Sequence, residues 1–483
     1  MGHDSELENS SIEVTLPLVV DLDGTLLLTD SLNEQFIKAF FTNPLLLLVC
    51  LVSLRRGRAA FKAALADKFP LDVDTIPINE LFVTWLRERR EQGRELHLCT
   101  AAHQSIADSV AARTGVFNSA VGSQAVNLKS QAKADHLVRR FPAGFVYAGD
   151  SHADLAVWRR AEAIVLAGSR SAVDQAARAL GKPIEASFPV PSAGLKDWIR
   201  AIRVHHWSKN ALVFVPLLLG HDWNSRWADL HVFLGFLVLL MLISSTYLIN
   251  DLADLDSDRA HWSKRRRPIA SGRIPVMAAF LAGIAGISLA LILGFLISLP
   301  FDLALGCYLA ITLGYSFGLK QVPLLDTFII GVLFTVRIIM GTALAGQVYS
   351  QWLLAFSMMF FFSLATAKRQ TELLRAVENG RSKVRGYRAE DILVNATFGV
   401  ATGISSLIIM ALYFADASFQ HSVYYHRPAF LWIMPMLVGI LVGRVWLLAQ
   451  RGEMHDDPVS FAVRDPAMLG LAIIAVIVFI LAL

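Results

Sequence analysis

YLINDLADLDSDRAHWSKRRRPIASGRI, residues Tyr247–Ile274, closes a long apolar stretch with a cluster of acids and then a cluster of bases. Asp251, Asp254 and Asp258 are spaced i, i+3, i+7, which places them on one helical face, with Asp256 on the other side. Carboxylates are costly at membrane depth, so such a cluster marks a functional site. Three on one face repel unless a cation joins them, and oxygen-only ligands suit Mg²⁺ shared with a substrate's phosphates. Lys264, Arg265, Arg266 and Arg267 follow, either to meet the same anion or as the ordinary positive charge of a cytoplasmic loop.

Downstream and upstream of this stretch the texture is that of a bilayer protein. Apolar segments occupy 210–220, 231–250, 276–299, 303–317, 324–346, 350–366, 392–414, 428–448 and 466–483. At roughly 20 residues per crossing they imply an all-α integral membrane bundle of about nine transmembrane helices. The loops at 259–273 and 368–388, and the residues Arg444, Arg451 and Arg464, are basic, whereas 221–231 and 415–427 are poor in Lys and Arg. The positive-inside rule puts the basic loops and the N-terminal part in the cytoplasm, in a multi-pass protein of the inner (plasma) membrane whose C-terminus emerges on the far side. Composition agrees: 55% of the 483 residues are hydrophobic and 17% charged, and the mean hydropathy is +0.50. A net charge of +4 is too mild to argue for nucleic acid. Cys50, Cys99 and Cys307 give neither a disulfide framework nor a metal-ligand spacing.

Residues 1–198 read differently, as a soluble α/β domain, and 199–483 as the membrane domain. SIEVTLPLVV, HLCTAA, GFVYAGD and IVLAG are strand candidates separated by amphipathic segments. That alternation implies a parallel sheet with its site at the strands' C-terminal ends. KPIEASFPVPSAG, with three prolines, reads as the linker. The opening MGHDSELENSSIE has no basic n-region, so no secretory signal is expected. NPLLLLVCLVSLRRGR (43–58) is too short to span, and reads equally as a buried helix or as an interfacial helix with Arg55, Arg56 and Arg58 at headgroups.

DLDGTL (21–26) directly follows an apolar strand, and Thr100, Lys133, Asp150 and Asp154 come later in order. The series resembles the haloacid dehalogenase superfamily of phosphohydrolases, with a Rossmann-like fold. The resemblance implies Asp21 as phosphoryl-accepting nucleophile and Asp23 as the acid and base. Thr100 and Lys133 would bind the phosphoryl oxygens. Asp150 and Asp154 would complete a Mg²⁺ site with Asp21 and the main-chain carbonyl of Asp23. Residues 30–80 would form the substrate-selecting cap.

The NDxxDxxxD pattern followed by RPxAxG resembles the UbiA-type superfamily of intramembrane prenyltransferases. That resemblance implies metal-bound aspartates facing a pyrophosphate donor. Where the superfamily carries a second aspartate motif, this chain reads ATAKRQTELLRAVENG, with Lys368, Arg369 and Glu372. Together with RVHHWSKN, YSFGLK and LLDTFIIGVLFTVRIIMG, this resembles the decaprenyl-phosphate phosphoribosyltransferase branch. The branch implies transfer of 5-phosphoribosyl from phosphoribosyl pyrophosphate to a polyprenyl phosphate lipid, with Mg²⁺ on Asp251, Asp254 and Asp258 stabilising the departing pyrophosphate. Asn250 would orient the metal shell or a ribose hydroxyl. Lys209, Arg267, Lys320, Lys368 and Arg369, with Tyr315, are candidates for the phosphates, and Glu372 for a ribose hydroxyl or a second cation. Asp326 and Arg337, eleven residues and so about three helical turns apart, are expected to reach different layers, each pairing within the bundle rather than binding substrate.

A phosphoribosyl lipid still carries its 5-phosphate, which an N-terminal phosphatase at the same face would remove, leaving polyprenyl-phosphoryl-ribose, a precursor of lipid-linked arabinose for cell-envelope glycans. The competing readings are a prenyltransferase with a prenyl pyrophosphate donor, a hydrophobic acceptor and an unrelated phosphatase, or a non-catalytic membrane scaffold. Association of the bundle into a homo-oligomer is compatible with each.

Overall fold

The computed structural model describes residues 16–483 except 125–126, 191, 221–225, 381–382, 385, 417–424, 455–460 and 462–464. Arg464, the first fifteen residues and parts of the loops at 221–231 and 415–427 lie outside the described residues. The chain forms two compact units, one of residues up to Arg203 with Tyr247–Ile284, the other of Val204–Thr246 with Ala285–Leu483. The aspartate-rich segment thus packs with the N-terminal residues.

In the first unit, six parallel strands, β1 (Leu18–Val20), β2 (Leu96–His103), β3 (Ser119–Ser123), β4 (Val146–Gly149), β5 (Ala163–Ala167) and β6 (Ile184–Phe188), run in the order β3-β2-β1-β4-β5-β6. The order reverses at β1, which pairs with β2 on one side and β4 on the other. Ligands bind such sheets at this switch, outside the strands' carboxyl ends. The stretch read as a linker instead supplies β6, in which Phe188 packs on Phe82 and Trp85. Its prolines lie outside Ile184–Phe188, so the ladder needs no amide they lack.

Between β1 and the helix Glu80–Glu91 comes a helical insertion: α1 (Ser31–Thr42), α2 (Pro44–Val52) and α3 (Arg58–Lys68). Asp30 caps α1 and Asn43 caps α2, each accepting from an amide three residues on. Leu47 and Cys50 of α2 pack with Ala39, Phe61, Leu65 and Phe69. On the other side of α1, Ile37 joins Leu248, Leu252, Leu255, Ile269, Val276 and Ala279 in one apolar cluster.

Among the described residues six helices are long and apolar enough to cross a bilayer: Trp227–Ala253, Val276–Ile297, Leu299–Phe317, Leu325–Ala345, Ala389–Ala415 and Pro428–Gln450. The other three stretches of the expected nine take different forms. Residues 210–220 are 3-10 turns over Val204–Phe214 followed by a five-residue helix, Val215–Leu219. Residues 350–366 are the apolar half of a longer helix, Gln351–Glu378, and the last is Pro466–Ala482. In the second unit, close approach is bought by small residues: Gly399 and Gly403 sit where a Cβ would meet Trp446, Thr366 and Ser363 within 3 Å. Arg337 is held by Asn210 Oδ1 (2.8 Å) and Tyr308 Oη (2.9 Å), the internal pairing expected of it.

Candidate functional site

The carboxyl ends of β1, β2 and β4 bring one constellation together. Asp21 follows β1, Thr100 lies on β2, and Asp150 follows β4. Lys133, on the helix Gln131–Arg140, donates to Asp21 Oδ1 at 2.9 Å and stands 4.0 Å from Asp154. Thr100 is fully buried and its Oγ accepts from the Ala102 amide. Asp154 accepts from Ser151 and from Tyr147 Oη, and Tyr147 in turn accepts from Lys133. Asp23 accepts from the Ser31 amide at the start of α1, and Asp150 from Thr25. The loop is tight: Gly24 has φ +77° and a Cβ there would lie 2.2 Å from Asp150.

Burial sets the electrostatics. Desolvation raises Asp21 to about 6, against the opposing charge of Lys133. It raises Asp23 to about 7, with Asp30 adding to the effect, and Asp150 to about 8, with Asp21 and Asp154 adding to it. Burial disfavours charge on Lys133, but Asp21 and Asp154 outweigh it and hold the ammonium firmly protonated. Crowded carboxylates that resist ionisation together fit a divalent cation. Asp21, Asp150 and Asp154 each offer an oxygen, all within 4.8 Å of one another, and are the one such trio among the described residues. A cavity of about 1190 Å³ opens over them, lined also by Asp23, Thr100 and Lys133.

Sequence reading missed three neighbours here. Tyr147 links Lys133 to Asp154, and Thr25 reaches Asp150. Lys62, from α3, lines the cavity and donates to Ala101 O and Asn127 Oδ1, with its pKa lowered by burial. Tyr147 sits within an apolar strand and Lys62 within an insertion helix, so neither position carried a local motif.

The second acidic cluster is also in this unit. The membrane helix ends at Ala253 and a short helix, Leu255–Ala260, begins after Asp254, so the three aspartates do not share an unbroken helix as their spacing suggested. Asp251 and Asp258 are nonetheless both buried and both bound by Arg267, at 3.1 and 2.5 Å. Arg203 also binds Asp251 and lies over the Tyr247 ring. Asn250 reaches Asp254 at 3.4 Å. Asp256 points outward, half exposed, towards Lys38. Asp258 Oδ1 is buried without a hydrogen bond and pairs with Lys264 at 3.7 Å. Arg259, beside Asp258, makes a two-pronged buried ion pair with Glu34 of α1, at 2.7 and 3.1 Å.

In the second unit, Arg369 is buried and donates to Asp326 Oδ2 and to Glu372. Tyr387 donates to Asp326 Oδ1 at 2.7 Å. Tyr315 interacts electrostatically with Arg369. Lys209, Lys320 and Lys368 are half-buried, on the Val204–Phe214 turns, the Leu319–Gln321 turn and the helix Gln351–Glu378.

A bundle of long apolar helices with buried acids at the end of one of them defines a multi-pass membrane protein. Residues 211–480 match the UbiA prenyltransferase family, and the chain belongs to that family. It is 43% identical over 472 residues to the uncharacterized protein y4nM of Sinorhizobium fredii, covering 97% of this chain and 91% of that one. It is 32% identical over 296 residues to nodulation protein NoeC of Azorhizobium caulinodans, covering 57% and 91%. Decaprenyl-phosphate phosphoribosyltransferase of Corynebacterium glutamicum is 37% identical over 201 residues, 40% of this chain and 60% of the relative.

Proposed function

We propose that the chain transfers 5-phosphoribosyl from phosphoribosyl pyrophosphate to a polyprenyl phosphate and then removes the 5-phosphate, giving polyprenyl-phosphoryl-ribose. The observation that carries the coupled reading is the Glu34–Arg259 pair, which ties the insertion beside Asp23 to the helix bearing Asp258. Kinship with a decaprenyl-phosphate phosphoribosyltransferase supports the choice of donor and acceptor. So does AKRQTEL where a second aspartate motif would stand, but Arg369 there, expected to meet phosphate, is instead taken up by Asp326 and Glu372.

In the transfer, the bond from ribose C1 to pyrophosphate breaks and a phosphate oxygen of the lipid bonds to C1. Asp251, Asp254 and Asp258, with Asn250, would hold Mg²⁺ on this reading; Asp251 and Asp258 are held by Arg203 and Arg267, whose guanidiniums would then be available to phosphate. By the resemblance, Lys209, Lys320 and Lys368, with Tyr315, are candidates for the substrates' phosphates, while within the second unit Arg369 and Glu372 keep one another in place. Bound Mg²⁺ would balance the negative charge that builds on the leaving pyrophosphate and on the transferring phosphoryl group.

In the hydrolysis, an Asp21 oxygen attacks phosphorus and the bond to the ribose 5-oxygen breaks. Asp23, whose raised pKa keeps a share of it protonated near neutrality, gives the departing oxygen its proton. It then takes a proton from water as that water attacks the aspartyl-phosphate, releasing phosphate and restoring Asp21. Lys133 and Thr100 hold the phosphoryl oxygens, and Asp150 and Asp154, with Asp21 and the main-chain carbonyl of Asp23, would hold a second Mg²⁺. The basic loops support, by the positive-inside rule, a cytoplasmic site for both reactions at the plasma membrane. The test is Asp21→Asn in proteoliposomes with phosphoribosyl pyrophosphate, polyprenyl phosphate and Mg²⁺. The variant is expected to accumulate the lipid one phosphate heavier than the wild-type product. Identical lipids from both, by mass, would refute the coupled reading.

A further inference from the structure

The insertion helix α2 is apolar along its whole length, PLLLLVCLV, yet only Leu47 and Cys50 are buried. Leu45 is 75% exposed, and Leu48, Val49 and Val52 are each more than half exposed, with Leu54 43% exposed just beyond. A helix facing water presents polar residues on that side, and a contiguous apolar strip marks a surface that another phase or molecule covers. We propose that this strip enters the surface of the bilayer the chain spans, with Arg55, Arg56 and Arg58 on lipid phosphates, and that it brings the Asp21 cavity to phosphates carried on lipid headgroups. The second half of that statement rests on the phosphatase reading; the first does not.

Three observations select lipid as the occupant. The first is continuity with a membrane helix. The joint between α1 and α2 is the single residue Asn43, and Phe40, one turn before it, packs edge-on against Phe280 at 5.0 Å. Phe280 lies in the second turn of the candidate span Val276–Ile297, where Leu281 and Ile284 are exposed, as lipid-facing side chains are. The strip therefore begins beside the level at which the chain enters hydrocarbon. The second is charge. Residues 35–66 contain Lys38, Arg55, Arg56, Arg58 and Lys62 and no Asp or Glu, which complements anionic headgroups. Arg55, Arg56 and Arg58 are all exposed. The third is length: nine residues of helix extend about 14 Å, half of a hydrocarbon core, so α2 lies in the interface and does not cross it.

The cavity shares these walls. Leu54, Arg58, Phe61 and Lys62 line it from the insertion, and Gly272, Arg273, Pro275 and Val276 from the segment that runs into the span. Gly272 has φ +77° and a Cβ there would meet Leu28 at 3.0 Å, so the chain fits this close only without a side chain. A phosphate that stays attached to a lipid needs such a placement, because it cannot diffuse to a site held away from the membrane.

The test uses the full chain in nanodiscs of phosphatidylcholine and phosphatidylglycerol. Val49→Cys in a Cys307→Ser background carries an environment-sensitive fluorophore; the remaining Cys50 and Cys99 are buried. Blue-shifted emission quenched by nitroxide on shallow acyl-chain positions is expected, with no quenching at the exposed control Glu91→Cys. A water-like spectrum, or a shielded probe that lipid nitroxides do not quench, would overturn lipid docking, the latter pointing to a protein partner or second copy. Val49→Glu is then assayed on vesicle-borne polyprenyl-phosphoryl-5-phosphoribose and on ribose 5-phosphate. At least tenfold loss on the lipid with unchanged turnover of the soluble phosphate is expected. Equal turnover of the lipid by variant and wild type, or equal losses on both substrates, would refute delivery from the membrane. Quenched probes with no Asp21-dependent turnover of either substrate would uphold the docking and refute the phosphatase reading.

Discussion

Glu34→Gln removes one charge of an ion pair that is 3% exposed at both side chains. Arg259 then keeps its bond to Ala270 O but loses its counter-charge, and Thr29 keeps an acceptor in the new amide. Leaving one member of a buried pair uncompensated costs about 3–5 kcal/mol, and the retained hydrogen bonds put this case near 3 kcal/mol. For a cooperative unit of this size, about 2–4 °C is lost per kcal/mol, so the first transition should fall by roughly 6–12 °C. The assay is intrinsic tryptophan fluorescence on heating in detergent, since Trp158 is fully buried in this unit and Trp198 packs beside Ala201. The double variant Glu34→Met with Arg259→Met leaves neither charge buried and should recover a large part of the loss. A transition within 1 °C of wild type for Glu34→Gln, or a double variant that merely adds the two single losses, would refute the pair as an energetic unit.

Asp251→Asn and Asp258→Asn should each abolish glycosyl transfer in proteoliposomes, whereas Asp256→Asn, exposed and facing Lys38, should leave at least half of it. Equal damage from all three would refute the assignment of the buried pair. Arg369→Ala strips the buried Asp326 of its cation and should cost about 3 kcal/mol or more, seen as a lower melting temperature of the second unit; an unchanged melt would contradict that role. Asp23 and Asp150 hold protons in the fold that the unfolded chain releases near pH 4. With chelator present, their contribution to stability is therefore full below about pH 4 and lost as pH rises towards about 8. Added Mg²⁺ should recover most of that loss at pH 8, and Asp150→Asn should flatten the profile; a melting temperature insensitive to Mg²⁺ at pH 8 would count against a metal at Asp21.

Much of the Asp21 constellation was legible because a parallel sheet delivers the residue after each apolar strand to one edge. DLDG and GDSHAD each run on from such a strand, Thr100 follows the apolar LHLC half of β2, and Lys133 arrives on the helix Gln131–Arg140. β6 was hidden by the prolines around it, which read as a linker although none falls inside the strand. The i, i+3, i+7 spacing put Asp251, Asp254 and Asp258 on one helical face with Asp256 away from it; Asp251 and Asp258 are buried and Asp256 exposed, but the helix breaks at Asp254, which the spacing gave no sign of. Arg203 as a partner of Asp251, Tyr387 on Asp326, and Arg259 on Glu34 come from 48, 61 and 225 residues away. Pairings at that range depend on which elements pack together, and no periodicity encodes them. The 43–58 segment shows the opposite limit: its apolarity was plain, but which side chains stay outside depends on the partner helices α1 and α3.

The central claim is that one chain makes a phosphoribosyl lipid and dephosphorylates it. It is tested most directly by the mass of the lipid formed when purified protein receives labelled phosphoribosyl pyrophosphate, polyprenyl phosphate and Mg²⁺. The expected product carries the pentose label and a single phosphate. No pentose on the lipid, with turnover of a prenyl pyrophosphate donor instead, would contradict the account.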